Sequence, residues 1–275
     1  FPEGLDSIGL SAIYATHLRE IVLPNTVKRV GDSSFSNNLK LKRIVLPEGL
    51  TEIPDSFLSL CDMLEEANIP TTVTKIGRSA FQWCSELKVN QLPPKLRWIG
   101  YDAFDSCLLD SIVFPSTVEY IEGGAFRDLH HLQKIYSLSP NPPHCTEDHA
   151  NPGKGPFHGF TPNDIPVYVP IGSGEKYRQA FGWNYFTNII ETDKFPLGVE
   201  PPLEEGLGKY TVYGRDGSLV IELPEEPSSP ILYSIYTVEG KTIAQGYLTG
   251  SHVLQLPSGG VYVVRVGTSI HKVSL

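Results

Sequence analysis

The 275-residue sequence has little positive charge and no long apolar run. Lysine and arginine together number 22 against 31 aspartates and glutamates, which gives a formal net charge of −9. A protein that binds nucleic acid or an anionic membrane surface needs a basic face to neutralise phosphates. No segment reaches the roughly 18 consecutive apolar residues of a membrane-spanning helix. We therefore expect no nucleic-acid partner and no membrane span in this chain.

The sequence also lacks the short motifs of the common enzyme classes. It contains no nucleophile elbow, no histidine pair at zinc-protease spacing and no phosphate-binding glycine loop. Gly172-Ser173-Gly174 precedes a predicted helix, but nothing implies a catalytic partner for the serine. We predict a protein without enzymatic activity and without a cofactor.

One cluster of metal-ligating residue types lies between residues 144 and 158. Imidazoles, a thiol and carboxylates this close together could ligate a transition metal, and a cysteine beside a histidine could act as a nucleophile. Against both interpretations, the segment is proline-rich, no pocket is implied, and loops collect polar residues anyway. We favour an ordinary loop without a metal. The cluster consists of His144, Cys145, Glu147, Asp148, His149 and His158.

The four cysteines do not follow the pattern of a disulfide framework or of a zinc site. Cys61, Cys84 and Cys107 each lie 14 residues after a regularly spaced proline. Equivalent side chains of stacked repeats point the same way, whereas a disulfide needs converging Cβ vectors. A zinc site would have cysteines roughly two to four residues apart, and none are. We predict buried, reduced thiols that pack as small apolar groups.

What the sequence does contain is a repeat. Prolines recur at steps of 23, 23, 23 and 22 residues, and each is followed 10 or 11 residues later by a phenylalanine. A period in the twenties with fixed apolar positions is typical of a solenoid of stacked coils. The prolines are Pro24, Pro47, Pro70, Pro93 and Pro115, and the phenylalanines are Phe35, Phe57, Phe81, Phe104 and Phe126.

Each repeat has the same internal order. A short strand precedes each proline, at residues 20–23, 43–46, 66–69, 89–92 and 111–114. Since side chains alternate along a strand, the residue next to the proline points inward and its predecessor outward, as expected for Val22, Val45, Asn68, Gln91 and Val113. A second extended segment follows, where Gly31, Gly77 and Gly100 are expected to give a turn its conformational freedom. The phenylalanine then lies on a helical or irregular turn and fills the core.

The first coil, residues 1–20, is degenerate, with Ile13 in the place of the phenylalanine. It carries no polar cap over the core, and Phe1-Pro2-Glu3-Gly4 reads as the middle of a repeat. We interpret the chain as a trimmed or mature form, so that its start does not indicate a cytoplasmic protein.

The regular repeat ends near residue 136. Seven prolines between residues 140 and 166 predict an irregular excursion over residues 137–164, followed by a strand and a short helix at 175–181. Trp183, Tyr185 and Phe186 are large enough to cover the open core of the last coil. Residues 137–196 are therefore assigned to the excursion and to a C-terminal cap.

The C-terminal part follows a different pattern. Residues 197–208 hold prolines and glutamates without periodicity and are predicted to be a semi-extended linker. Six or seven short strands follow, separated by turn signals such as Asp216-Gly217 and Glu239-Gly240. Residues 209–275 are therefore predicted to form a small antiparallel β-sandwich.

The outward residues of the second extended segments are candidate binding residues. The fourth and fifth positions after each proline place Trp98 and Tyr120 on adjacent coils, and exposed aromatic residues beside arginine favour protein and glycan binding. The alternatives are that Trp98 packs along its own surface or beneath the proline-rich segment, and that outward valines only reflect strand propensity. The candidate residues are Lys75, Arg97, Trp98, Tyr101, Glu119 and Tyr120.

The repeat pattern of Ile-x-Leu-Pro, Ile-Gly, Ala-Phe and Cys resembles the leucine-rich repeats of BspA-type bacterial surface proteins over residues 1–136. It departs from that pattern at Asn90, so we expect an irregularity near residues 88–93. Residues 168–189 resemble the closing segment of such repeats in Bacteroidetes-like surface proteins. Residues 236–241 and 256–266 and the Lys272-Val273 ending look like the C-terminal sorting domains of type IX secretion cargo.

The resemblance and the periodicity together predict a mostly β fold with short helical turns. It is a right-handed leucine-rich-repeat solenoid of about six coils over residues 1–136, followed by the small antiparallel β-sandwich. The resemblance implies a secreted protein or one on the exterior of the outer membrane. We predict an exported, non-enzymatic binding or adhesion protein whose repeat surface holds a protein or a carbohydrate. The alternative is a structural or carrier module of a larger surface assembly, without a ligand of its own.

Overall fold

The computed structural model describes residues 1–2, 4–89, 92–195, 211–215, 218–223, 231–237, 242–248, 250–257, 260–266 and 269–274. The chain divides into two compact units, Phe1–Pro201 and Pro202–Leu275, and each has its own apolar core. The predicted linker at 197–208, Asn90, and the predicted turns at Asp216-Gly217 and Glu239-Gly240 lie outside the described residues.

Short strands alternate with turns throughout the first unit. Its described strands pair in parallel, and each pairing joins a strand to its equivalent in a neighbouring coil. The strands are β1 (Ser7–Ile8), β2 (Glu20–Val22), β3 (Arg29–Val30), β4 (Arg43–Val45), β5 (Glu52–Ile53), β6 (Glu66–Asn68), β7 (Lys75–Ile76), β8 (Trp98–Ile99), β9 (Ser111–Phe114), β10 (Tyr120–Ile121), β11 (Lys134–Ser137), β12 (His144–Cys145), β13 (Pro166–Pro170) and β14 (Asn188–Thr192).

These strands form two walls of a solenoid. The first wall holds the strands that precede the prolines, in the orders β2-β4-β6 and β9-β11-β13-β14. The second wall holds the extended segments that follow, in the order β5-β7-β8-β10-β12, with β1 and β3 paired separately. The first wall is divided at residues 88–92: Lys88, Val89 and Leu92 carry no strand, and the two residues between them are not described.

Inward side chains form columns that fill the coils. Ile76, Ile99 and Ile121 are fully buried and occupy matching positions on adjacent strands of the second wall. The phenylalanines form a column of their own, in which the rings of Phe81 and Phe104 stack at 5.2 Å. Burying one such side chain contributes about 1.5 to 3 kcal/mol. Because one coil cannot cover its own apolar edges, stacking supplies this burial.

The predicted alternation along the first wall holds at Val22, which is 55% exposed, but not at Val113, which is only 6% exposed. Val113 is in register with Tyr136, whose ring stacks on that of Tyr168 at 4.8 Å. The large outward rings beside this valine account for its burial, so Val113 is not part of an exposed apolar stripe.

The turns that carry the phenylalanines form a third hydrogen-bonded side, and in the described coils they are not helical. Alternate backbone N–H groups donate to the next coil, as from Phe35 to the carbonyl of Phe57 at 3.1 Å. The N–H groups between them close tight turns within their own coil, as from Ser36 to Ser33 at 3.2 Å. This arrangement requires two residues with positive φ in each coil. They include Ser33 and Asn37, Ser56 and Leu60, Ser79 and Trp83, and Asp102 and Ser106.

Gly31, Gly77 and Gly100 serve close packing rather than a turn, which corrects the expectation from the sequence. None of the three has a positive φ. A Cβ on Gly100 would lie 2.7 Å from the backbone nitrogen of Arg78. Only glycine therefore lets these coils approach one another this closely.

The cysteine column is buried and reduced, as predicted. Each thiol donates a hydrogen bond to a carbonyl of the preceding coil: Cys61 to Phe35 at 3.3 Å, and Cys84 to Leu58 at 3.2 Å. Cys107 does the same with Phe81. The thiols thus satisfy carbonyls in the core as well as filling space.

The proline-rich segment 137–164 forms a further coil, which corrects the prediction of an irregular excursion. Its strand β12 pairs in parallel with β10, and the ring of Phe157 stacks on Phe126 at 5.5 Å. Ile135 pairs with Val167, so this coil is 32 residues long. The prolines lie in and around an insertion and conceal the strand and turn that flank it. Three more bonds join its turn to the previous one, from the N–H groups of Gly124, Phe126 and Asp128 to the carbonyls of Gly155, Pro156 and His158.

A short helix, α1 (Gly174–Gln179), and a 3-10 turn (Trp183–Tyr185) follow β13. Trp183 is fully buried, and its indole N–H donates to the carbonyl of Pro143 at 3.1 Å. Its ring packs edge-on against Phe114 and Tyr177, with centroids 5.6 and 5.0 Å apart.

The second unit is antiparallel. Its strands are β15 (Thr211–Arg215), β16 (Ser218–Glu222), β17 (Ile231–Thr237), β18 (Thr242–Leu248), β19 (His252–Gln255), β20 (Val261–Val266) and β21 (Ser269–Ser274). They form two sheets in the orders β15-β16-β19 and β18-β17-β20-β21, which enclose a core that includes Leu219, Ile235 and Val264. A solenoid followed by a small sandwich confirms the predicted fold class.

Candidate functional site

Four outward side chains form a row across the second wall, which we call the outer ladder: Lys75, Trp98, Tyr120 and His144. They are consecutive register partners on β7, β8, β10 and β12. The rings of Trp98 and Tyr120 stack at 4.8 Å, and His144 meets Tyr120 edge-on at 5.7 Å. Trp98 is half-buried and Tyr120 is 39% exposed. The structure therefore brings the two predicted aromatic residues together.

Arg97 and Glu119 flank the outer ladder and are paired with each other. An NH group of Arg97 lies 2.5 Å from the carboxylate of Glu119, and its Nε donates to the same oxygen at 3.0 Å. Both side chains are about half exposed, so the pair contributes no more than about 1 kcal/mol to stability. The predicted cation beside the aromatic pair is thus already satisfied by a carboxylate.

A groove of about 500 Å³ opens beside the ladder. Its lining includes Gly77 and Gly100. Trp98 and Tyr101 provide aromatic walls, and Lys75 provides a cation. Of the six predicted residues, Lys75, Trp98 and Tyr101 line this groove; Arg97, Glu119 and Tyr120 are outside the described lining. The remaining lining residues are Asp55, Arg78, Glu122, Thr146 and His149.

Tyr101 is fixed from both sides. The guanidinium of Arg78 lies over its ring, 5.2 Å from the centroid, and His149 stacks at 5.7 Å. Its hydroxyl donates to the carboxylate of Asp148. Burial and the hydrogen bond to Asp148 raise the pKa of Tyr101. A wall held in this way loses little conformational freedom when a ligand binds.

Asp148 anchors the inserted loop to the previous coils. Its carboxylate is fully buried and lies 2.7 Å from Nε2 of His158 and 2.7 Å from the side-chain nitrogen of Asn151. Burial acts to raise the pKa of Asp148, but hydrogen bonds from Tyr101, Asn151, the N–H of Ala150 and His158 hold it well below its usual value.

A second buried carboxylate, Asp102, is less well satisfied. Arg127 binds Asp105 at 2.5 Å but lies 3.5 Å from Asp102. Oδ1 of Asp102 is buried and has no hydrogen-bond partner among the described residues. Burial raises the pKa of Asp102 to about 7, although Arg127 opposes the shift.

The possible metal ligands between residues 144 and 158 are dispersed. His144 stands on the outer ladder, Cys145 is buried in the core, and His149 lies against Tyr101. Only Asp148 and His158 meet, through their hydrogen bond. Within the described residues, no group of three or more such side chains could hold a metal ion.

Three residues were not among the predicted binding residues: Arg78 and His149, which line the groove, and Trp83, which is exposed elsewhere. Arg78 lies just beyond the columns that were compared, and His149 reaches the groove only because the inserted loop folds back. Trp83 is 50% exposed on the turn side of the solenoid, where the phenylalanine spacing gave no sign of an outward aromatic residue.

In the part of the chain that is described, no helix has the length and apolar character needed to cross a membrane.

The repeats can be compared with known proteins. Residues 1–135 match the model of the BspA type leucine rich repeat region in six copies. No curated protein sequence matches the chain.

Several solved structures are similar to it. A leucine-rich repeat protein of T. pallidum is 30% identical over 48% of this chain and 62% of its own, with a TM-score of 0.45. One from Bacteroides ovatus is 19% identical over 70% of this chain and 59% of its own, with a TM-score of 0.44. A leucine rich cell surface protein of Faecalibacterium prausnitzii is 15% identical over 74% and 87%, with a TM-score of 0.26. The chain thus spans about three fifths of the first two proteins.

Proposed function

We propose that this protein, whose residues 1–135 carry BspA-type leucine-rich repeats, is an exported, non-enzymatic binding protein of the cell surface. It holds a protein or carbohydrate ligand on the outer ladder and in the adjoining groove. The observation that carries the proposal is the stacked pair of Trp98 and Tyr120, partly exposed and in register beside an open groove.

The ladder suits binding because its geometry is already set. Trp98 and Tyr120 stand on two hydrogen-bonded strands with fully buried isoleucines behind them. Aromatic side chains offer a large contact area with few rotatable bonds, so ordering them for a ligand costs little. Single exposed apolar residues are common on protein surfaces and do not indicate a binding site. Two stacked aromatic residues in register beside a groove form a preorganised surface on which a ligand can bind.

The proposed export rests on the C-terminal unit. The likeness of residues 209–275 to type IX sorting domains concerns its turns and its last strand, and a small antiparallel sandwich is compatible with it. Export would bring the repeat surface outside the cell, where proteins and glycans of neighbouring cells are available as ligands.

The test is an array of glycans and extracellular proteins, probed with the purified chain and with three variants. Trp98→Ala and Tyr120→Ala should each remove most of the signal on the same spots. Trp83→Ala is the matched control, since this tryptophan is also exposed but lies on the turn side, and it should leave the signal unchanged. No bound spot, or equal loss in all three variants, would instead favour a structural module without a ligand of its own.

A further inference from the structure

We infer that the groove beside the outer ladder takes an acidic sugar, with a pyranose ring against Trp98 and its carboxylate at Lys75 and Arg78. This inference rests on the proposed function and narrows its ligand to a uronate-bearing saccharide. Four observations support it. Two cations of the groove form no ion pair among the described residues, and its carboxylates already accept backbone hydrogen bonds. One side of the Trp98 indole is accessible, and the distance between coils is close to the length of a sugar residue.

The two cations of the groove form no ion pair within the part of the chain that the structure describes, although Glu52 is the register partner of Lys75. Lys75 and Arg78 both line it, and neither side chain forms an ion pair or a hydrogen bond with a residue that the structure describes. The guanidinium of Arg78 lies over the ring of Tyr101. Burial raises the pKa of Asp102, and the charge of Arg78 acts to lower it. Because Lys75 and Arg78 have no ion-pair partner among the described residues, these two cations are available to a carboxylate of a ligand.

The two carboxylates of the groove are occupied by backbone groups. Asp55 accepts a hydrogen bond from the N–H of Arg78 at 2.8 Å. Glu122 accepts one from the N–H of Tyr101, also at 2.8 Å. These bonds connect neighbouring coils and hold both carboxylates in place. Among the described residues, no such bond holds the side-chain nitrogens of Lys75 and Arg78.

The indole of Trp98 offers a platform on its free side. Tyr120 covers one face, and the groove adjoins the side toward Lys75. A pyranose ring presents a flat face of C–H groups that packs on such a ring. Adjacent strands are about 4.8 Å apart, a distance comparable to the length of one sugar residue, so a saccharide running along the ladder meets equivalent positions on successive coils.

An acidic peptide would satisfy the same cations but is less well matched. Peptides that bind sheets commonly add a strand at an open edge, whereas β8 has β7 and β10 on its two sides. The groove instead offers an aromatic face and cationic side chains. This combination suits a pyranose ring that carries a carboxylate.

The test uses two probes with the same backbone: tetragalacturonic acid and its fully methyl-esterified form, titrated by calorimetry into the full chain. The acid should bind, and esterification should weaken binding about tenfold or more, as expected when charge-assisted hydrogen bonds are lost. Lys75→Gln and Arg78→Gln should each weaken binding of the acid several-fold without affecting the ester. Lys95→Gln, a control at an exposed lysine outside the groove lining, should change neither.

The outcomes separate this inference from the proposed function. Equal binding of both probes, lost in Trp98→Ala, would overturn the charge recognition and leave the ladder as a sugar site. Tighter binding of tetraglutamate than of tetragalacturonate would also overturn the inference, in favour of an acidic peptide. If tetragalacturonate does not bind at millimolar concentration, the inference is wrong, while the array with Trp98→Ala still decides the proposed function.

Discussion

The indole of Trp183 stands edge-on to the ring of Phe114, with centroids 5.6 Å apart and planes at 78°. Phe114 ends strand β9, whereas Trp183 lies in the 3-10 turn between β13 and β14. Trp183 thus reaches back across the coil formed by residues 137–164 to the regular repeats. This contact ties the end of the solenoid to its middle.

Trp183→Ala should therefore destabilise the first unit by about 3 to 5 kcal/mol, because it empties a fully buried aromatic site. Stability in a repeat array passes between neighbours, so amide protection should fall in β9, β11 and β13 before it falls in β2. Denaturant unfolding and hydrogen exchange measure the two effects.

The matched control is Phe181→Ala, since Phe181 is an aromatic residue of the same segment but is 40% exposed. It should cost about 0.5 kcal/mol or less. Similar losses for both variants would show that the segment is sensitive as a whole and that Trp183 has no special role.

Trp98→Ala should leave the fold nearly intact. Trp98 is half-buried and its main contact is the stack on Tyr120, an interaction that contributes about 0.5 to 1.5 kcal/mol. The free energies of unfolding of this variant and of Trp183→Ala, measured by urea melts, should differ by at least about 1.5 kcal/mol. A loss as large as that of Trp183→Ala would make Trp98 a core residue and remove the basis of the binding proposal.

The cysteines should be unreactive in the native protein. Burial raises the pKa of Cys61 to about 12 and raises that of Cys84, Cys107 and Cys145 as well. The thiolate is the reactive form, so titration with a disulfide reagent at pH 8 should find almost no free thiol. All four should react in guanidinium chloride. A mass lower by two hydrogens would contradict the prediction by revealing a disulfide.

Asp102 should make the protein less stable as the pH rises. Its pKa is raised from 3.8 to about 7 in the folded protein, so between these values the folded state binds more protons than the unfolded state. Stability therefore falls from about pH 4 to 7 and is constant above. Asp102→Asn, which mimics the neutral acid, should flatten the decline in urea melts across this range.

The contribution of Asp148 to stability changes with pH in the opposite direction and over a different pH range. Its folded pKa is lowered, so its contribution to stability is present above its usual pKa near 3.8 and is lost only in stronger acid. The two carboxylates can thus be separated by pH. An unchanged slope between pH 4 and 7 in Asp102→Asn would mean that Arg127 keeps Asp102 ionised.

The repeat spacing predicts the solenoid because this fold is determined by which residues are buried. The regular pattern of apolar residues in the sequence shows directly which residues those are. The prolines and phenylalanines locate the strands of the regular coils to within one residue at each end, except at 89–92. The aromatic pair of the candidate site follows from the same count, since equivalent positions on adjacent coils must be neighbours.

The backbone conformation of the turns, the role of the glycines and the groove depend on contacts between coils. The types and spacing of single residues do not predict these contacts. The positive φ values at Leu60 and Trp83 arise where residue types have no preference for that conformation; hydrogen bonds to the next coil impose it. The role of Gly31, Gly77 and Gly100 also depends on contacts between coils, because the backbone of the neighbouring coil leaves no space for a side chain at these positions. The groove needs the loop around His149 to fold back, and the proline-rich insertion hides that return.

On all three sides, hydrogen bonds join one coil to the next and run along the direction in which the coils are stacked. A pulling force in that direction would therefore stretch them directly, and coils would detach one at a time from an end. Each detached coil of 23 residues would lengthen the tether by roughly 70 to 80 Å. The 32-residue coil that contains Asp148 would give one longer extension, and its place in the series would show from which end the protein had come apart.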